Sequence, residues 1–176
     1  ASSASSNYFG TKGSFQENAT GMTTGGTNNA STVFLSRFNL NGTRAWSTYL
    51  GVDRSLNVLN YLLLHSNSLE VINDDAYIIT KHEIRPGNLN SITTQNSYIK
   101  NSVATNQYDT TLSKFYTNGT RAWTTFLYGG EVIKSNGNEL FISSRITSPL
   151  NITTTNAYQK NYGGGTNDIY INIISD

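Results

Sequence analysis

One string, Asn-Gly-Thr-Arg-Ala-Trp, occurs twice in this chain, ending at Trp46 and again at Trp123, 77 residues later. The match spreads on both sides, so that Thr32–Leu50 recurs as Asp109–Leu127. Self-similarity on this scale means a repeated structural unit, each copy of which buries its apolar faces against its neighbours. Other segments recur too. Ser91–Lys100 matches Asn151–Lys160 at a spacing of 60, with a weaker copy at Gly10–Gln16, and Asp168–Ile174 matches Asp109–Phe115 at 59. Asp75–Thr80 resembles Asn138–Ser143. The unequal spacings imply a unit of about 60 residues, lengthened in one copy by an insertion at Gly51–Leu69. That insertion reads equally as an extra strand or a short helix.

The repeated segments alternate as strands do. In one copy Phe34, Ser36 and Phe38 alternate with Val33, Leu35 and Arg37, and Trp46, Thr48 and Leu50 with Ala45, Ser47 and Tyr49. Asn41-Gly42 and Asn118-Gly119 supply hairpin chemistry and predict type I′ turns with both residues at positive φ. The expected hairpins are Thr32–Phe38 with Arg44–Leu50, and Thr110–Phe115 with Arg121–Leu127. Glu131–Lys134 and Leu140–Arg145 form a further pair across Ser135–Asn138, and Ile169–Ile174 is the next strand. One unit is thus four antiparallel strands, the Trp strand last. Four-stranded units at roughly 40–60-residue intervals predict β-propeller blades. A solenoid has shorter, more even rungs without such hairpins, and a sandwich does not need one sequence twice.

Composition narrows the function. Only 13% of the 176 residues are charged and the net charge is +1, too little to neutralise phosphates, so nucleic acid is not an expected partner. Ser, Thr and Asn exceed a third of the chain, the polarity without charge of short strands and many turns. No apolar run is long enough to span a bilayer. Cysteine is absent, which removes disulfides, thiolate nucleophiles and Cys-ligated zinc. The small polar start, Ala1–Ser6, has no signal-peptide pattern and reads as a mature terminus, a linker or a fragment boundary.

Taken in order, Asp109–Leu127, Asn138–Ser143, Thr153–Gln159 and Gly163–Ile174 resemble the bacterial β-propeller repeat called SBBP. The resemblance runs from about Gly13 onward, outside the insertion. It implies a propeller fold and a secreted or cell-surface, Bacteroidetes-like source, and it carries no shared catalytic residues. The Gly-Gly that follows the Trp strand in the family is Gly51-Val52 in one copy and displaced to Tyr128-Gly129-Gly130 in the other. The expected organisation is a linker or blade connection over 1–12 and a partial propeller over 13–176. Within it, 32–50 ends one blade, 51–69 is the insertion, 70–127 is a full blade and 131–176 is most of a third. That is about two and a half blades, whereas closed rings take about four or more. The chain is therefore expected to be part of a larger propeller, or one contributor to a ring made by several chains.

Few residues invite chemistry. His65 and His82 are the only histidines and neither has a ligand spacing around it. Asp74-Asp75 is read as a turn initiator. Asp109 and Asp168 begin equivalent strands and are expected to tie the preceding loop by side-chain to backbone bonds. Gly163-Gly164-Gly165 lacks both the spaced carboxylates of a calcium loop and the Lys-Ser/Thr of a phosphate loop. Trp46 and Trp123 are expected between blades. Tyr98, Tyr158 and Tyr162 suit a sugar- or protein-contact surface. Glu70 and Glu131 read as equivalent residues near the inner ends of first strands, where a channel enzyme would place acids. Sequons at Asn18, Asn29, Asn41, Asn118 and Asn151 follow from composition, and Asp109-Thr110-Thr111 resembles a short O-glycosylation motif.

The expectation is a non-catalytic scaffold or macromolecular-binding module of a secreted or surface protein. No catalytic, cofactor or metal site is assigned. The partners expected are the segments or chains completing the propeller, with surface proteins or glycans beside them. A carbohydrate-binding propeller and a polysaccharide-degrading enzyme segment are the alternatives.

Overall fold

The computed structural model describes residues 2–3, 9–18, 32–50, 65–83, 92–101, 103, 108–147 and 152–175. Every regular element among them is a strand: β1 (Ser2–Ser3), β2 (Thr32–Phe38), β3 (Arg44–Leu50), β4 (His65–Ile72), β5 (Asp75–Glu83), β6 (Tyr108–Phe115), β7 (Arg121–Leu127), β8 (Val132–Ser135), β9 (Glu139–Ile146) and β10 (Asp168–Ser175). All pairings are antiparallel, in three sheets ordered β1-β2-β3, β4-β5-β6-β7 and β8-β9-β10. The chain is all-β over these residues, and among them no helix is long and apolar enough to cross a membrane. Most of the expected insertion, 51–64, lies outside the described residues. Its last residues, from His65 onward, are strand: they open β4.

The two Asn-Gly turns share their backbone bonds, and they are not type I′. Gly42 N donates to Asn39 O at 2.9 Å and Asn39 N to Thr43 O at 2.8 Å; Gly119 N donates to Tyr116 O at 2.9 Å and Tyr116 N to Thr120 O at 2.9 Å. Only the glycines take positive φ, +82° and +86°. This is the three-residue loop in which a left-handed glycine follows a type I turn. The Asn side chains favour it: Asn41 Oδ1 accepts from Thr43 N and Oγ1 at 3.1 and 2.7 Å, and Asn118 Oδ1 from Thr120 N and Oγ1 at 3.0 and 2.7 Å. The extra residue shifts register at Arg37/Phe38 and at Lys114/Phe115, the same place in both copies. The type I′ turn occurs elsewhere, at Asn73-Asp74 between β4 and β5, with φ of 50° and 68°.

Pairing also corrects two sequence alignments. Ile78 lies opposite Ser113, and Ile142 opposite Asn172. Since Ser113 and Asn172 are repeat equivalents, Asp75–Thr80 corresponds to Glu139–Ser144, one residue on from the match read in the sequence. A one-residue slip exchanges the two faces of a strand. Likewise Glu70 opposes Tyr77 while Lys134 opposes Phe141, so the counterpart of Glu70 is Lys134 and not Glu131.

With that register the sheets pack in one sense. Val33, Leu35, Trp46 and Leu50 of the first sheet bury against Ile78 and Phe115 of the second. The opposite face of the second sheet, Ile72, Tyr77, Ile79, Leu112 and Leu127, buries against Ile133, Leu140 and Ile142 of the third. The middle sheet is therefore covered on both faces, and Leu35 and Leu112, repeat equivalents, each face the following sheet. The first strands of the last two sheets touch, with Ile133 N donating to Ser68 Oγ at 3.1 Å.

In the first two sheets a loop docks on the free edge of the Trp strand, β3 or β7. Thr11 N donates to Ser47 O at 2.8 Å and Tyr49 N to Gln16 O at 2.9 Å; in the next unit Thr94 N donates to Thr124 O at 3.1 Å and Phe126 N to Ile99 O at 3.0 Å. Thr11, within the stretch 1–12 read as a linker or blade connection, thus bonds to β3.

Candidate functional site

The residues singled out for chemistry mostly serve the fold. The backbones of His65 and His82 sit in β4 and β5 as register partners of Lys81 and Asp109; their side chains lie outside the description. Asp74 closes the β4–β5 turn, and Asp75 meets Lys114 Nζ at 3.3 Å and accepts from Thr117 N at 3.2 Å. Asp168 ties its loop as expected, its Oδ2 accepting from Gly163 N at 2.6 Å and Gln159 Nε2 at 3.1 Å. Asp109, Thr110 and Thr111 are buried in β6, which puts the O-glycosylation motif out of an enzyme's reach. Asn18, Asn41 and Asn118 are exposed, while Asn29 and Asn151 lie outside the described residues. Among the described residues no three His, Asp or Glu side chains gather as metal ligands would.

Glu70 and Glu131 are separate. Glu70 accepts from Ser135 Oγ at 2.9 Å and faces Lys134 Nζ at 3.8 Å, whereas Glu131 pairs with Arg145 at 3.9 Å on the surface. Glu70→Ala should cost about 1 kcal/mol, the value of a half-buried hydrogen bond to a charged group, and Glu131→Ala under about 0.5 kcal/mol. Chemical denaturation of the two variants reads the difference.

Both tryptophans lie between sheets. Trp46 is buried, and its Nε1–H donates to Thr117 O of the second sheet at 2.8 Å. Trp123 meets Tyr77 edge-on at 6.1 Å and packs on the core toward the third sheet.

What stands out is a surface that sequence reasoning did not single out. Ile169, Ile171 and Ile173 of β10 are 75%, 60% and 59% exposed, and Val132 of β8 joins them. Register places these with Phe141 on one face of the third sheet, the face whose equivalents in the other two sheets are buried. Contiguous exposed apolar surface of this kind marks an interaction site. Tyr98 and Tyr158 project from equivalent loops at 91% and 105% exposure. Tyr170, on the other face of β10, has its phenol pushed up by burial first, then by the neighbouring Tyr98 and Tyr128. Tyr162 is occupied, its hydroxyl donating to Gly165 O at 3.0 Å.

Set against protein-family models the chain matches none, and no curated protein matches it significantly.

Proposed function

We propose that the chain is a non-catalytic β-propeller repeat module of a secreted or cell-surface bacterial protein. Each sheet is a blade, β4 and β8 are inner strands, and the β3 and β7 edges form the rim. The module serves as a scaffold, and its contact surface is the apolar face of the third sheet, which another blade covers. The observation that carries this reading is the sense of packing: the first sheet lays on the second the same face that the second lays on the third. The glutamates suit it as well, since Glu70 is spent on a neighbouring blade instead of opening to a channel. Electron microscopy of the native full-length protein tests it. Sheets radiating from an axis are expected; flat layers without an axis would contradict it.

Carbohydrate binding is the second reading, favoured by the projecting rings of Tyr98 and Tyr158. If it holds, a glycan array retains the protein and the Tyr158→Ala variant is released. No retention of any glycan removes it.

A further inference from the structure

In the first two sheets the Trp strand is held between two elements, the third strand on one side and the docked loop (Thr11–Gln16 or Thr94–Ile99) on the other. The third sheet has both holders and, among the described residues, nothing between them. β10 is its edge strand. The loop at 153–160 has the fold of its equivalents: Ala157 N donates to Thr154 O at 3.1 Å as Ser97 N does to Thr94 O at 3.1 Å, and Thr153 Oγ1 donates to Lys160 O at 3.1 Å as Thr93 Oγ1 does to Lys100 O at 3.0 Å. An edge strand with an apolar face and a second hydrogen-bonding wall is a place to add a strand.

The neighbouring copies say which strand fits. Arg121 donates to Ile92 O at 2.7 Å and Arg44 to Phe9 O at 3.3 Å, so the carbonyl of Ile152, their equivalent, calls for an arginine. The Arg121 guanidinium also lies over the Phe15 ring of the preceding loop, 4.1 Å from its centroid. The ring equivalent to Phe15 is Tyr98, which stands 91% exposed. An arginine entering the third sheet reaches it, and cation–π contact of this kind is favourable. Trp123 packs on Tyr77, and the counterpart of Tyr77 is Phe141. The small polar side chains of β7 complete the pattern: Ser113 Oγ and Thr124 Oγ1 share a bond at 2.8 Å, and Asn172 takes the place of Ser113.

We infer that the edge of β10 and the 153–160 loop together form an acceptor for one extended segment of the type Arg-Ala-Trp-(Ser/Thr)-Thr-aromatic-Leu. Its Arg lies over Tyr98, its Trp over Phe141 and its Leu beside Ile169. The inference rests on the equivalence of units used above. It goes further in naming the sequence that the surface selects.

The test uses the whole chain and a fluorescent peptide with the sequence of residues 119–129. Saturable one-to-one binding is expected, at least tenfold tighter than that of a scrambled peptide. Replacing the peptide's arginine by alanine should weaken binding about tenfold, the scale of one charge-assisted hydrogen bond. Tyr98→Ala in the protein, a change at an exposed side chain, should weaken binding severalfold, and less so for the alanine peptide. New hydrogen-exchange protection should be confined to β10 and the 153–160 loop. Equal binding of the scrambled peptide, no saturation, or protection elsewhere overturns the acceptor. Such a failure is distinguishable from failure of the module reading, which microscopy of the full-length protein decides independently.

Discussion

Phe115→Ala will lower stability by about 3–5 kcal/mol, the usual cost of removing a fully buried aromatic side chain. Phe38→Ala, at the equivalent position of the first unit, will cost under about 1 kcal/mol. The same residue type has two fates because of its neighbours. Phe115 is fully buried, packed with Val33, Leu35, Trp46 and Leu50 of the first sheet, and it meets the Phe15 ring edge-on at 5.9 Å. Phe38 turns the same face outward and is 61% exposed. For a chain of this size, 3–5 kcal/mol corresponds to roughly a 6–20 °C fall in Tm. Thermal unfolding of the two variants therefore separates packing from intrinsic preference. Similar losses would mean that the first sheet does not rest on the second.

The second large effect is at the turns. Gly42 and Gly119 take nearly the same φ, +82° and +86°, so alanine at either incurs the left-handed penalty of about 1–2 kcal/mol. Their surroundings differ. A Cβ at Gly42 meets nothing within 4 Å, while a Cβ at Gly119 stands 2.7 Å from Trp46 Cδ2. Trp46 is poorly placed to yield, being buried and anchored to Thr117 O. Displacing it adds about 1–3 kcal/mol, as overpacked cores do. Gly119→Ala will thus be the more destabilising by about 2 kcal/mol. Urea unfolding at one temperature reads the difference.

Much of the fold is legible in the sequence because alternation and Asn-Gly turns act locally. The strands Thr32–Phe38, Arg44–Leu50 and Arg121–Leu127 are bounded as the alternation indicates. The turn type is not legible, because it depends on Asn41 and Asn118 bonding to the second residue onward and on where the bulge falls. Register is not legible where the copies have diverged: Asp75–Thr80 and Glu139–Ser144 share too few identities to exclude a slip of one, and backbone pairing alone fixes it. The first half of β4 is hidden because its counterpart β8 begins only at Val132 and leaves His65–Asn67 nothing to align with. The candidate site is hidden for another reason. Ile169, Ile171 and Ile173 read as an ordinary strand like Asp109–Phe115, and only the neighbouring sheets decide which copy of that strand is covered.

Successive units lay one face on the next, and Trp46 of the first reaches the Asn118-Gly119 turn of the second. A double-mutant cycle between Trp46→Leu and Gly119→Ala tests that contact directly. With the indole gone, Gly119→Ala should cost no more than Gly42→Ala, giving a coupling of about 2 kcal/mol between residues 73 positions apart in sequence. Additivity within about 0.5 kcal/mol would place Trp46 and Gly119 out of contact and contradict the stacking.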